Sequence, residues 1–218
     1  MITTLRPCLD KLEISRIQGQ LPMKKEFVTE VNAVTAASFG SAEEVPMIET
    51  FDHLSESNLG HFVYIGSGPN RTLVAYALND IYEFECLDAK FKVNYFASAF
   101  ILPQIRKQIA LYRMLGSMRL THDEDIIMVR TQSPIVMTFF AWLCEFSGMR
   151  LISPLERVPT EIVELVFSRF RRRNLVMTGV YGRCLTGRPI EPKTPFSKNL
   201  IELINPLAGD AVVLVGKK

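Results

Sequence analysis

FKVNYFASAFILPQIRKQIALYRMLGSM, residues 91–118, joins an apolar, β-rich run to a segment with helical spacing. The first twelve residues read as a strand that runs into Pro103. Over residues 104–118, Ile105, Ile109, Tyr112 and Leu115 fall along one stripe, the spacing of a helix that buries one face. A helix that follows a strand presents unpaired backbone N–H groups and a partial positive charge at its first turn, which suits phosphate binding. Arg106 and Lys107 add charge there. The same residues equally suit a core helix with a solvated basic first turn, so the elements on either side decide what the junction belongs to.

Upstream, KKEFVTEVNAVTAASF places Phe27, Val31, Val34 and Ala37 or Ser38 on one side of an amphipathic helix that Gly40 stops. Residues 41–60 are acidic and polar, with Val45, Met47, Ile48 and Phe51 as anchors for a short second helix or a loop. HFVYI and RTLVAYALNDIYEFE, divided by GSGPN, read as a hairpin. A G-x-G between two strands lacks the helix N-terminus of a phosphate loop, so GSGPN is a turn.

Downstream, Ile126–Thr131 is a short buried strand. Ser133 and Pro134 then supply an N-cap and a first-turn proline for the helix IVMTFFAWLCEF, which ends at Ser147 and Gly148. This helix is apolar nearly all round and is expected to be buried. After the bend ISPLERVP, TEIVELVFSRFRRR forms another amphipathic helix with Ile162, Val163, Val166, Phe167 and Phe170 inward. LVMTGVYG and AVVLVG are late strands separated by the Pro- and Gly-rich TGRPIEPKTP. Strands before and between helices, without strict βαβ alternation, predict an α/β (α+β) fold: a mixed, mostly antiparallel sheet flanked by helices, in a single domain over residues 1–218.

Composition narrows the function. The formal net charge of the 218 residues is only +2, so no global field draws in nucleic acid or an anionic membrane. The run Arg169, Arg171, Arg172, Arg173 complements a helix C-terminus and lacks the paired aromatics of a stacking platform. No apolar run is long enough for a membrane span, and no h-region opens the chain. Four dispersed cysteines without a C-x-x-C pair suit reduced thiols in the cytoplasm, and three scattered histidines argue against a histidine-ligated metal. Adjacent side chains in the run HDED do not converge on one ion. Cys144 has the surroundings of an inert packing thiol.

The order helix, hairpin, long strand, proline-led basic helix, strand, then a polar residue opening an apolar helix resembles the GNAT superfamily of acyl-CoA N-acyltransferases over about residues 26–149. The resemblance implies that the turn after the fourth strand holds the pyrophosphate of coenzyme A on its backbone amides. It aligns Arg106 with the first motif position and puts Lys107, Gln108, Ile109, Ala110 and Leu111 in the same cradle. Ile109 and Leu111 stand where that motif has glycines, whose missing Cβ lets phosphates approach. SPIVMTFF corresponds to the later motif, with Ser133 at its Asn position and Phe140 at the position of a tyrosine that protonates the departing thiolate. Phenylalanine has no proton to give.

On this resemblance, backbone groups of Phe100, Ile101 and Leu102 would pair with a pantetheine arm, and Glu83 or Glu85 would accept the amine proton. Strand alternation puts both glutamates on one face, and both also suit solvated strand-end residues. The expected reaction is acyl transfer from acyl-CoA, a co-substrate with no tightly bound cofactor, to an amine by direct attack in a ternary complex. Two alternatives stay open. One is a donor carried on an acyl carrier protein, with the basic run facing the carrier; the other is a non-catalytic ligand- or protein-binding descendant. Residues 150–218 exceed the family's usual final strands and have room to cover a sheet edge, cap an acyl pocket or form a homodimer contact.

Overall fold

The computed structural model describes residues 12–39, 47–105 and 109–218; Cys8, Gly40, Arg106, Lys107 and Gln108 lie outside them. In chain order the elements are β1 (Leu12–Gln18), α1 (Lys25–Phe39), α2 (Met47–Ser55), β2 (Leu59–Ile65), β3 (Thr72–Cys86), β4 (Ala89–Ile101), α3 (Ile109–Arg119), β5 (Ile126–Thr131), α4 (Pro134–Phe146), β6 (Arg150–Ile152), α5 (Thr160–Phe170), β7 (Val176–Met177), α6 (Pro195–Ile201) and β8 (Ala211–Lys217). The strands form an open, mostly antiparallel sheet in the order β1-β2-β3-β4-β5-β8-β6, with β7 also paired to β8. β4 and β5 run parallel. This is the mixed, helix-flanked sheet that the sequence predicts. The chain groups into two compact units: residues up to Asp80 with Ala97–Arg119, and Ile81–Phe96 with Leu120–Lys218.

In the first unit, β2 is buried along nearly its whole length because both of its faces are covered. Phe62 and Tyr64 join Val28, Val31 and Val34 of α1 in one cluster, whereas Val63 joins Ile101, Ile105 and Leu115 in another. Polar groups inside are paired. The Tyr76 hydroxyl lies 2.6 Å from Thr35 Oγ1, and burial raises its pKa. Arg119 donates from Nε to Asn79 Oδ1 and from its terminal nitrogen to Leu78 O, both at 2.8 Å, and Asn79 Nδ2 donates to Arg119 O at 3.2 Å. His61, 1% exposed, has no hydrogen-bond partner at Nδ1. Burial, and the positive charges of Arg119 and Arg16, hold its pKa down to about 4.

In the second unit, Met137, Phe140, Leu143 and Cys144 of α4 and Leu200 of α6 pack on Phe96, Ile127, Val129, Val212 and Leu214. Helix and strand approach closely at Gly216: a Cβ there would lie 2.7 Å from Cys144 Sγ and 2.7 Å from Ile127 Cγ1. The β3–β4 turn is made by Leu87 and Asp88, both at positive φ (52° and 62°), as a two-residue hairpin loop demands.

Several expectations need correction. β1, β6 and α6 are elements that the sequence patterns do not predict. The strand expected over LVMTGVYG shrinks to β7, because Gly179 and Gly182 take positive φ (65° and 64°) and turn the chain. α3 is described from Ile109, not from residue 104; Pro103, Gln104 and Ile105 form a turn in which Ile105 N–H donates to Leu102 C=O at 3.0 Å. α4 is not buried all round, for Ile135 is 48% and Phe146 58% exposed. In α5 the buried residues are Ile162, Leu165 and Val166, while Val163, Phe167 and Phe170 are half-buried. That helix ends at Phe170, with Arg171 as a left-handed cap (φ 57°), so Arg171, Arg172 and Arg173 follow the helix rather than belong to it.

Folded His61 holds its proton less tightly than the unfolded chain, whose value is 6.5. Its contribution is therefore intact above about pH 6.5 and is lost progressively as the pH falls toward about 4. Urea unfolding across that range should show this loss, and His61→Gln should flatten it. Because a leucine in left-handed backbone costs about 1 kcal/mol, Leu87→Asn with Asp88→Gly should raise the unfolding free energy by about 1 kcal/mol.

Candidate functional site

The β4–β5 register runs from Val93–Ile126 to Phe96–Val129, and beyond it β4 continues to Ile101 and β5 to Thr131. In the first unit this leaves the backbone of Ala97, Ser98, Ala99, Phe100 and Ile101 as the stretch of β4 past that pairing. Of the groups expected to receive a ligand, some already bond within the unit. Ile101 C=O accepts from Ser38 Oγ at 3.1 Å, Leu102 N–H donates to Val74 C=O at 2.9 Å, and Leu102 C=O accepts from Ile105. Ala99 is exposed and Phe100 half-buried, with the Phe100 ring against Phe39 and Tyr76. Arg106, Lys107 and Gln108 lie outside the described residues. Ile109, Ala110 and Leu111 form the first turn of α3.

At the start of α4, Ser133 occupies the N-cap with extended backbone and Pro134 follows it, as the sequence implies. Its side chain makes no capping bond; instead its N–H donates to Thr131 Oγ1 at 2.9 Å. Phe140 is 1% exposed and packs edge-on to Phe96 at 6.0 Å, so its position belongs to the core. Cys144 is buried, and burial pushes its thiol up to about 12, which makes it a packing residue. Glu83 and Glu85 are both exposed on β3, and Glu85 is ion-paired with Lys90 at 2.7 Å. Among the described residues no group of three His, Cys, Asp or Glu is placed to hold a metal ion, and no helix is long and apolar enough to cross a membrane.

The second unit gathers a set that the sequence does not announce. Tyr95 lies opposite Met128 in the parallel register, and Arg130 is two residues further along the same face. The Arg130 guanidinium sits 5.0 Å from the ring centres of both Phe170 and Tyr181. Arg169 sits 4.7 Å from Tyr95 and 5.8 Å from Tyr82, and Tyr95 meets Phe170 edge-on at 5.5 Å. Two guanidiniums thus flank one aromatic pair, where all six side chains except the buried Tyr95 are half-buried.

Hydrogen bonds fix the loop that carries Tyr181. Gln132 Nε2 donates to Arg183 O at 3.2 Å, and its Oε1 accepts from Leu185 N–H at 3.0 Å. Gly209, at φ 81°, passes so close to the loop that a Cβ there would lie 2.4 Å from Gly182 N. Val213 N–H donates to Leu175 C=O at 2.7 Å, on the β7 side of β8. The Arg130–Val213 pair of β5 and β8 is therefore non-hydrogen-bonded. The backbone groups of Arg130 point away from β8, and its carbonyl accepts the Tyr181 hydroxyl at 3.2 Å.

No protein-family model matches the sequence, and no curated protein matches it. Among solved structures the chain is similar to the Escherichia coli ribosomal-protein-S18-alanine N-acetyltransferase, with a TM-score of 0.48 and 10% identity over 94% of this chain and 92% of that one. It is also similar to Arabidopsis thaliana NAA60 in complex with a bisubstrate analogue, with a TM-score of 0.48 and 10% identity over 94% and 99% of the two chains. Against a conserved Enterococcus faecalis protein of unknown function, the match covers 65% of this chain but spans only 33% of that one (TM-score 0.44, 10% identity). At such identities the likeness is one of fold, and no residue's role follows from it.

Because the Ser133 hydroxyl caps nothing, Ser133→Ala should change the unfolding free energy by less than about 0.5 kcal/mol, where loss of a bonded cap costs about 1 kcal/mol. Equilibrium denaturation of the two proteins checks this.

Proposed function

We propose that the protein is an N-acyltransferase that moves an acyl group from an acyl-CoA thioester to an amine by direct attack in a ternary complex. One observation carries the reading: the parallel β4–β5 register ends at Phe96–Val129 although both strands continue, and each strand is followed by a helix, α3 and α4. A strand that loses its neighbour offers unpaired amide groups of the kind a pantetheine arm needs. The stretch of β4 concerned is Ala97–Ile101, in which Ile101 C=O already accepts from Ser38, and next to which Leu102 N–H donates to Val74 C=O. The donor's phosphates meet the opening of α3, where Arg106, Lys107 and Gln108 precede the first helical residues Ile109, Ala110 and Leu111. Ser133 opens the second helix beside the continuing end of β5.

Direct attack needs the amine held close to the thioester carbon and its proton removed. Of the two glutamates assigned to that step, Glu83 is the better placed, because the Glu85 carboxylate is held by Lys90. The thiolate's proton does not come from Phe140, which is buried in the core. That same burial, with Ile109 and Leu111 in the cradle, favours a second reading in which the fold binds a ligand or a partner without catalysis.

The test is thermal unfolding with and without coenzyme A, acetyl-CoA, a long-chain acyl-CoA and phosphopantetheine. A donor present at about a hundred times its Kd should add about 2.7 kcal/mol to stability. Stabilisation by the CoA compounds supports the transferase. Stabilisation by phosphopantetheine alone points to a donor carried on an acyl carrier protein. No stabilisation by any of them leaves the non-catalytic reading.

A further inference from the structure

We infer that the outer edge of β3 over Glu83, Phe84 and Glu85 docks a short extended peptide with alternate basic residues, which adds to the sheet as an antiparallel strand. The inference does not depend on the transferase reading. β2 covers β3 only as far as the Leu59–Asn79 pair, and among the described residues no strand lies against β3 beyond it, although β3 runs on to Cys86. Past that pair β3 has β4 on one side and an open edge on the other.

The turn decides which backbone groups face that edge. With only Leu87 and Asp88 in the loop, Cys86 and Ala89 close the hairpin as a hydrogen-bonded pair, and Phe84 pairs likewise with Phe91. Glu85 with Lys90 and Glu83 with Lys92 are then non-hydrogen-bonded pairs, whose amide groups point away from the partner strand. Side-chain contacts agree with this register: the Phe84 and Phe91 rings stack at 6.4 Å, and the Glu85 carboxylate meets Lys90 at 2.7 Å. So does the far side of β4, where Lys92 turns its N–H to Asp125 Oδ2 and its C=O to Asp125 N–H. On β3 the outward groups are accordingly the N–H and C=O of Glu83 and Glu85. They fall in step with Asn79, whose C=O accepts from Asn58 N–H on the β2 side. An outward row of this kind is the template for main-chain strand addition.

Charge selects the occupant. Glu83 and Glu85 are exposed on one face of the strand. The same edge of a second copy, laid antiparallel, sets glutamate against glutamate, and like charges directly opposite destabilise a strand pair. A peptide with Lys or Arg at the opposing positions makes attractive pairs instead. The Glu85–Lys90 ion pair is a weak obstacle, because both of its side chains are mostly exposed. On the other face, apolar peptide side chains extend the row that half-buried Phe84 makes with Phe91.

The experiment measures binding of a labelled, end-blocked Lys-Val-Lys-Val-Lys peptide to the full chain by fluorescence polarisation at low salt, with no acyl-CoA present. Wild type should bind it saturably and should not bind Glu-Val-Glu-Val-Glu. In an antiparallel strand with lysine opposite glutamate, the lysine amides face β3, so N-methylating them should abolish binding, whereas N-methylating the valine amides should leave it unchanged. Glu85→Pro deletes an outward N–H that β4 does not use, and it should weaken binding by about tenfold relative to Glu85→Gln. If Glu85→Pro fails to fold, the two methylated peptides decide alone. No saturable binding, or equal binding of the two methylated peptides, overturns the docking edge. Self-association of the chain that Glu85→Pro removes overturns the choice of occupant.

Discussion

The parallel pairing of β4 and β5 is the constraint on which the rest of the architecture depends. Antiparallel neighbours need only a tight turn, but parallel ones need a crossover long enough to carry the chain back. Here that crossover contains α3, the helix following Ile101. Once β5 is set parallel, its other edge takes β8 antiparallel over six residues, from Ile126–Lys217 to Thr131–Val212, and β8 in turn carries β6 and β7. The carboxyl-terminal segment thereby becomes part of the sheet. β8 is buried along nearly its whole length, which is why AVVLVG is apolar without alternation.

Inside each unit several polar groups are held by neutral partners. Arg119 bonds to an asparagine and a carbonyl, Tyr76 to a threonine, and Gln132 to two backbone groups of a loop. Such bonds are directional and lose their value when a partner shifts, so they determine position more than they add stability. The surface ion pairs, such as Glu85 with Lys90 and Arg71 with Glu13, are exposed and contribute little by comparison.

The arginines of the second unit show how one residue type serves two purposes. Arg173 is spent on the surface, ion-paired to Glu164 and laid over Phe167. Arg130 and Arg169 instead lie half-buried on aromatic rings contributed by two strands, a helix and a loop. The sequence run SRFRRRN draws the eye to the first kind, since adjacency in the chain is what a linear pattern displays. The second kind joins residues 82, 95, 130, 169, 170 and 181, whose only common feature is a place in the fold.

Much of the fold was legible in the sequence. β5 has the bounds its apolar run marks, and α4 starts at Pro134, after the Ser133 cap, and stops before Ser147-Gly148, because proline, glycine and polar caps restrict the backbone locally whatever surrounds them. The hairpin of β2 and β3 was readable for the same reason. Where pairing or packing decides, the sequence was silent. β1 and β6 are strands because a neighbour's backbone receives them, and α6 is a seven-residue helix whose Thr194 and Ser197 capping box hides in a proline-rich stretch. A local pattern also cannot say that Phe140 is core or that Leu102 N–H is already bonded, nor bring Arg130 under the rings of Phe170 and Tyr181. Those outcomes depend on groups far apart in the chain being brought within a few ångströms, and that is settled only when the sheet and its helices pack.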